Sequence, residues 1–290
     1  MNFEEMNSLE TLFDSDLKSS LPLPPELKSL YGSLSFPSHP GRPYIISNFV
    51  STVDGVVSLD AHGKAVGDVI SGSNQQDSMV MGLLRAVSDI VLVGAGTLRA
   101  SPSHIWTPQY IYPPYAEVYA VLRKRMGKRP SPLNVIVSAS GDLDLSLPVF
   151  QSETAPVIIV TTVLGVQQIK RKELSESVRI IEGSDTTTIT ARQILKAIET
   201  VSPSCDIILI EGGPHLIGDF FAVHCLDELF LTFAPQIAGR ESASERLGLV
   251  AEKLFAPEHP VWGTLRSVKR SGSHLFLRYG FESAGVREQL

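Results

Sequence analysis

Cysteine is scarce in this chain: of 290 residues only Cys205 and Cys225 carry a thiol, and they form neither a C-x-x-C pair nor a set at zinc spacing, although His224 adjoins Cys225. No metal site is legible, and both read as reduced structural thiols. Long hydrophobic runs are also missing. The longest, such as Ile90 to Val93, Val157 to Val160 and Ile207 to Ile210, are about a quarter of the roughly 18 residues that a bilayer-spanning helix needs, so no membrane partner is expected. Met1 to Asp16 is acidic and lacks the basic and apolar regions of a secretory signal, which leads to a cytoplasmic expectation. Positive charge is not in excess, with 25 Lys and Arg against 31 Asp and Glu and a net charge of −6. Phosphate backbones are bound by clustered cations, so nucleic acid is not an expected partner; the one dense run, Arg123, Lys124, Arg125, Lys128 and Arg129, reads as a solvated face. There is no G-x-S-x-G elbow, no Walker loop and no zinc-deaminase signature.

Hydrophobic residues make up 43% of the chain and charged residues 19%, which is enough apolar surface for a buried core and excludes disorder as the overall state. Residues 1–40 differ from the rest: an acidic start, then Pro22, Pro24 and Pro25, a Leu-rich piece from Leu27 to Leu34, and Pro37 and Pro40. They read as an N-terminal arm packed on a domain that spans 41–290. From Tyr44 onward, short apolar or β-branched runs alternate with helix-like segments, the pattern of an α/β fold. Strands are expected over 44–50, 89–93, 134–138, 156–161, 178–182, 206–211 and 228–234, with helices over 75–87, 189–201 and 215–224. The end, 263–270 and 274–281 about Ser271 and Gly272, reads as an antiparallel hairpin.

Two segments echo each other. Ser88 to Leu98 reads SDIVLVGAGTL and Cys205 to Leu216 reads CDIILIEGGPHL; each places a buried strand before a glycine pair. Continuous apolar strands belong to a mostly parallel sheet covered on both faces. Ligands of such sheets sit beyond the carboxyl ends of the strands, where glycine lets backbone N–H groups approach a phosphate. One nucleotide held between the two loops is the functional reading. The plain alternatives stay open: Gly94, Ala95 and Gly96 as a tight turn ahead of a Pro-rich stretch, Glu211 to Pro214 as a strand-ending turn, and Asp54 with Gly55 as another. Likewise Ser71 or Ser73 reads as the cap of the next helix, and Arg85 as a cation favouring its C-terminus. His39, His62, His104, His259 and His274 have no triad-like or ligand-like spacing and receive no role.

Taken together, the runs Asn48 to Gly55, Ile70 to Gly72, Leu84 to Ala86 with Val91 to Ala100, and Ile210 to Leu216 with Asp227 to Leu229 and Ala234 to Pro235 resemble the reductase domain of the riboflavin-biosynthesis deaminase/reductase. The resemblance covers about residues 42–281 and lacks the deaminase half, so it reads as a stand-alone reductase. It implies the dihydrofolate reductase-like fold: three layers, a mostly parallel central sheet and a C-terminal antiparallel hairpin. It implies a homodimer and NADPH-dependent reduction of a ribosylaminopyrimidine 5′-phosphate, hydride passing to C1′ of the open-chain imine form. Carried over by position, Thr97, Ser101, Ser138 and the loop of Gly213, Pro214, His215, Leu216, Ile217 and Gly218 would hold NADPH. Arg85, Glu211 and Asn48 fall at substrate-binding positions.

The chain also departs from the family. Many members have Lys at Asn48, Ser at Gly67, Trp at Val69 and two Asp before the proline where this chain has Ser101 and Pro102; a following Arg has no counterpart among Ser103 to Gln109. Each lost charge-assisted bond is worth roughly 1.5–3 kcal/mol, so the cofactor half of the site is better matched than the substrate half. A nucleotide-binding protein of the same fold without this activity, and a pterin-type reductase, stand as alternatives.

Overall fold

In the computed structural model, which describes residues 6–15, 20–59, 66–241 and 246–282, the apolar runs become a ten-stranded sheet. In chain order the elements are β1 (Glu10–Asp14), α1 (Pro25–Tyr31), β2 (Tyr44–Ser51), α2 (Val66–Ser71), α3 (Gln75–Val87), β3 (Ile90–Gly94), α4 (Ala95–Ala100), α5 (Pro108–Ile111), α6 (Ala116–Arg125) and β4 (Leu133–Ser138). They continue with α7 (Pro148–Gln151), β5 (Val157–Thr162), α8 (Val163–Ile169), β6 (Val178–Ser184), α9 (Ala191–Val201), β7 (Ile207–Ile210), α10 (Pro214–Ala222), β8 (Glu228–Phe233), β9 (Thr264–Ser271) and β10 (His274–Gly280).

The strand order is β1-β9-β10-β8-β2-β7-β3-β4-β5-β6. From β8 to β6 all neighbours are parallel, whereas β10 pairs antiparallel with β8 and β9. The reason is visible in β7, where alternate residues serve different layers. Ile207 and Leu209 pack with α3 residues such as Leu83 and Val87, while Ile208 and Ile210 pack with Ile194 of α9 and Phe220 of α10. A strand buried on both faces must be apolar throughout. The result is a three-layer α/β fold with a mostly parallel sheet and an antiparallel C-terminal hairpin, as the resemblance implies.

Helix α3 begins at Asn74, whose side chain accepts from the backbone N–H of Asp77 at 2.9 Å; neither Ser71 nor Ser73 caps it. Three local expectations are corrected. The stretch after Gly94 is helical from the next residue, because α4 follows β3 without a turn and Pro108 sits in the first turn of α5, where its missing N–H has no cost. The basic run is not wholly a solvated face: Arg123 is 2% exposed and its Nη1 donates to the carbonyls of Arg85, Ala86 and Ser88 at the end of α3, while Lys128 pairs with Asp89 at 2.7 Å. Within the arm, 10–14 is strand β1, paired antiparallel with β9, and Lys269 beneath it donates to Asp14 and Thr11, both at 3.2 Å.

Candidate active site

The parallel strands place their carboxyl ends on one side, so the segments after β2, β3, β4, β7 and β8 share an edge. β7 lies between β2 and β3, which brings the two glycine segments of the sequence side by side. The contact is close: a Cβ added to Gly212 would lie 2.4 Å from Oγ1 of Thr97, so only glycine lets α4 and the 211–214 segment approach this far. Gly213 has φ +77 and stands at the N-cap of α10, with Pro214 at the first helical position and no side chain capping the helix. The first-turn N–H groups there form the positive end of a helix without a side-chain acceptor, which is the donor set an anionic group takes. Gly94 and Gly96 face open space.

Ser101 ends α4, its backbone N–H bonded to the carbonyls of Thr97 and Leu98. Ser138 is 3% exposed and its hydroxyl accepts from the N–H of Gly141 at 3.2 Å, an inward-facing role in the β4 loop. His215 is exposed and 3.5 Å from Glu252, Leu216 and Ile217 are buried, and Gly218 lies against Val250, Ala251 and Lys253.

Arg85 on α3 and Glu211 at the end of β7 are brought together across 126 positions of sequence. Nε of Arg85 donates to Oε1 at 2.9 Å and Oε2 at 3.0 Å, and Nη2 donates to Oε2 at 2.6 Å. The side chains are 1% and 4% exposed. The other donors of Arg85 are also engaged: Nη1 faces the carbonyls of Thr107 at 3.1 Å and Ile105 at 3.5 Å, and Nη2 lies 2.9 Å from Nε2 of His104. His104, to which the sequence assigned no role, thus belongs to the site; no spacing signal marks it, because it reaches Arg85 through an irregular loop. Asn48 on β2 is 7% exposed, one residue beyond the Ser47 that pairs with Ile210, so it neighbours Glu211.

A second carboxyl completes the cluster. Asp77, in the first turn of α3, is 5% exposed, and burial pushes its pKa up to about 6; the charges of Asp68 and Glu211 act in the same direction and a hydrogen bond from Thr232 opposes them. At the rim, Asp54 accepts from the Thr52 hydroxyl and then from the N–H groups of Ala238 and Gly239, which hold its pKa down at about 2, and it links the turn after β2 to the segment after β8. A cavity of about 430 Å³ lined by Arg42, Cys205 and Cys225 lies at the opposite, amino-terminal end of the strands and is separate from this edge. Among the described residues no group of three or more His, Cys, Asp or Glu is placed to hold a metal ion, and no helix is long and apolar enough to cross a membrane.

Comparison with known proteins agrees with this architecture. The family model of the RibD C-terminal domain matches residues 43–256. The 2,5-diamino-6-ribosylamino-4(3H)-pyrimidinone 5′-phosphate reductase of Archaeoglobus fulgidus is 24% identical over 202 residues, covering 69% of this chain and 84% of that protein. The riboflavin biosynthesis protein RibD of Aquifex aeolicus is 24% identical over 209 residues, covering 72% of this chain and 51% of that protein. Among solved structures, a pyrimidine reductase-like protein of Corynebacterium diphtheriae superposes with a TM-score of 0.63 at 20% identity, covering 83% of this chain and 92% of that one. The riboflavin biosynthesis reductase Rib7 of Saccharomyces cerevisiae superposes at 0.55 with 15% identity, covering 85% and 93%, so the fold is shared at low identity. With more than half of its length matched by the family model, the chain belongs to the RibD C-terminal domain family.

Proposed function

We propose that this protein is an NADPH-dependent oxidoreductase that reduces a ribosylaminopyrimidine 5′-phosphate or a closely related heterocycle, as in riboflavin biosynthesis. The observation that carries the reading is the contact of Thr97 with Gly212: the start of α4 and the segment after β7 meet as a cradle ahead of an uncapped helix, with a carboxylate one residue away. The names of the relatives supply the substrate class. The cradle fits a dinucleotide: the Gly213 loop and the first turn of α10 would receive the pyrophosphate, and the Thr97 hydroxyl and the Ser101 end of α4 would flank it. What NADPH brings to the site is a hydride from nicotinamide C4. The protein's part is to orient the substrate and keep water away. Glu211, held by Arg85, accepts N–H groups of the aminopyrimidine edge, and the buried carboxyl of Asp77 beside it keeps that end of the crevice polar. In the same reading the protein works in the cytoplasm as a homodimer, on a small molecule.

Titration calorimetry with NADPH, followed by the fall in 340-nm absorbance on adding a ribosylaminopyrimidine 5′-phosphate, tests this directly. Binding with turnover is expected. Binding without turnover of any pyrimidine or pterin would favour a nucleotide-binding protein of the same fold, a reading that the departures at Asn48, Gly67, Val69 and Ser101 support.

A further inference from the structure

We propose that His104 is a positioning residue of this site: its ring nitrogen takes the last guanidinium N–H of Arg85, so that what the crevice offers a substrate is the Glu211 carboxylate and not a free cation. The inference deepens the reductase reading and rests on it for the class of ligand.

Arg85 has five N–H groups in a fixed fork and no acceptor. The single Nε–H is shared between the two oxygens of Glu211, the two on Nη1 face the carbonyls of Ile105 and Thr107, and one on Nη2 goes to Oε2 of Glu211. The remaining Nη2 hydrogen points at Nε2 of His104, 2.9 Å away, with the thioether sulfur of Met81, a weak acceptor, beside it at 3.4 Å. An arginine only donates, so Nε2 must be the acceptor and the ring proton must sit on Nδ1. Burial, with the charge of Arg85 second, lowers the His104 pKa to about 2, so the ring stays a neutral acceptor at any working pH. Its orientation is held by Trp106 and Tyr110, whose ring centroids are 5.0 and 4.7 Å away.

The pair is unequal in what it leaves over. All five donors of Arg85 are engaged, whereas Oε1 of Glu211 receives a single bond from Nε and keeps a lone pair. A group that docks here must therefore donate. The amino and ring N–H edge of a pyrimidine does so; a phosphate monoester, with a second pKa of about 6 and so mainly an acceptor-only dianion at neutral pH, does not. The substrate enters with its heterocycle toward Glu211 and any phosphate directed elsewhere.

The test uses 5,6-diaminouracil as the heterocycle probe and methyl phosphate, a monoester dianion without a donor, as competitor, titrated by calorimetry into the NADPH-loaded protein near pH 7.5, with no turnover required. The parent is expected to bind diaminouracil and methyl phosphate to leave that binding unchanged. His104→Phe keeps the ring stack but removes the acceptor, and should weaken the probe roughly tenfold while NADPH affinity stays within about twofold. His104→Gln, whose amide oxygen accepts, should restore most of the loss. Displacement of the probe by methyl phosphate from the parent, or no probe binding by the parent at all, would overturn the proposal without any variant. Equal probe affinity in parent and His104→Phe, with only a lower melting temperature, would also overturn it and leave His104 a packing residue. Failure of turnover with these binding results intact would count against the reductase reading alone.

Discussion

Thr97 and Gly212 meet across neighbouring strand ends so closely that a methyl group on Gly212 would fall 2.4 Å from the Thr97 hydroxyl oxygen and 2.9 Å from its Cβ. The Cβ is fixed by the backbone of α4 and has no rotamer by which to withdraw. Gly212→Ala is therefore expected to push the 211–214 segment away from α4 and to weaken NADPH roughly tenfold, about 1.4 kcal/mol. Fluorescence or calorimetric titration reads the change; an unaltered affinity would put the cofactor away from these loops.

The Arg85–Glu211 pair gives an unequal response to its two conservative changes. Glu211→Gln leaves a guanidinium that is 1% exposed without its counter-charge, which costs about 3–5 kcal/mol for a buried pair, so urea unfolding should show a large loss of stability together with the loss of turnover. Arg85→Lys keeps the charge, but three ammonium donors cannot replace a planar fork of five, and it is expected to lose a comparable part of the turnover. Full turnover by either variant would show that the pair serves the fold alone.

Asp77 gives a pH signature with a defined sign. Its folded pKa, about 6, lies above the ordinary 3.8, so the folded state holds this proton more tightly than the unfolded chain. The resulting stability is fully present below about pH 3.8 and is lost as pH rises through 6. The difference amounts to roughly 2–3 kcal/mol over that window. Asp77→Asn should remove the slope, so that the variant gains on the parent between pH 4 and pH 7 in denaturant titrations. Parallel stability curves would show that Asp77 is ionised in the folded protein.

The arm makes a prediction at the other end of the sheet. Strand β1 covers the outer edge of β9, and Lys269, 2% exposed, lies 5.0 Å over the ring of Tyr31 with Asp14 as its counter-charge. Removing residues 1–15 bares an unpaired strand edge and a buried cation. The truncated protein is expected to aggregate at lower temperature, seen by light scattering, while NADPH affinity holds because the cradle lies beyond the far ends of β3 and β7. A truncation with the parent's melting behaviour would reduce the arm to an appendage.

Much of the fold is legible in the chain. The four-residue cores of β3, β5 and β7 are apolar without alternation, and a strand of that kind has no place except the middle of a covered sheet. Helix α3 announces itself by its apolar face, and the Ser271–Gly272 turn by its composition. Two of the departures fall where a residue's partner is distant. Arg123 looks like part of a surface run because its partners are carbonyls that a helix end happens to present, and residues 10–14 show no strand period because the pairing belongs to β9, about 250 residues away.

The candidate site divides in the same way. The sequence by itself determined the pieces: two glycine segments after buried strands, a carboxylate at Glu211 and a cation at Arg85, because local backbone demands and strand burial act over a few residues. Only the tertiary structure decided that β7 lies between β2 and β3, that Glu211 and Arg85 are each other's partner, and that His104 completes them. The physical reason is that a buried charge must find its partners among whatever groups the strand order brings within about 3 Å, and that order is set by the packing of the whole sheet, not by the residues beside the charge.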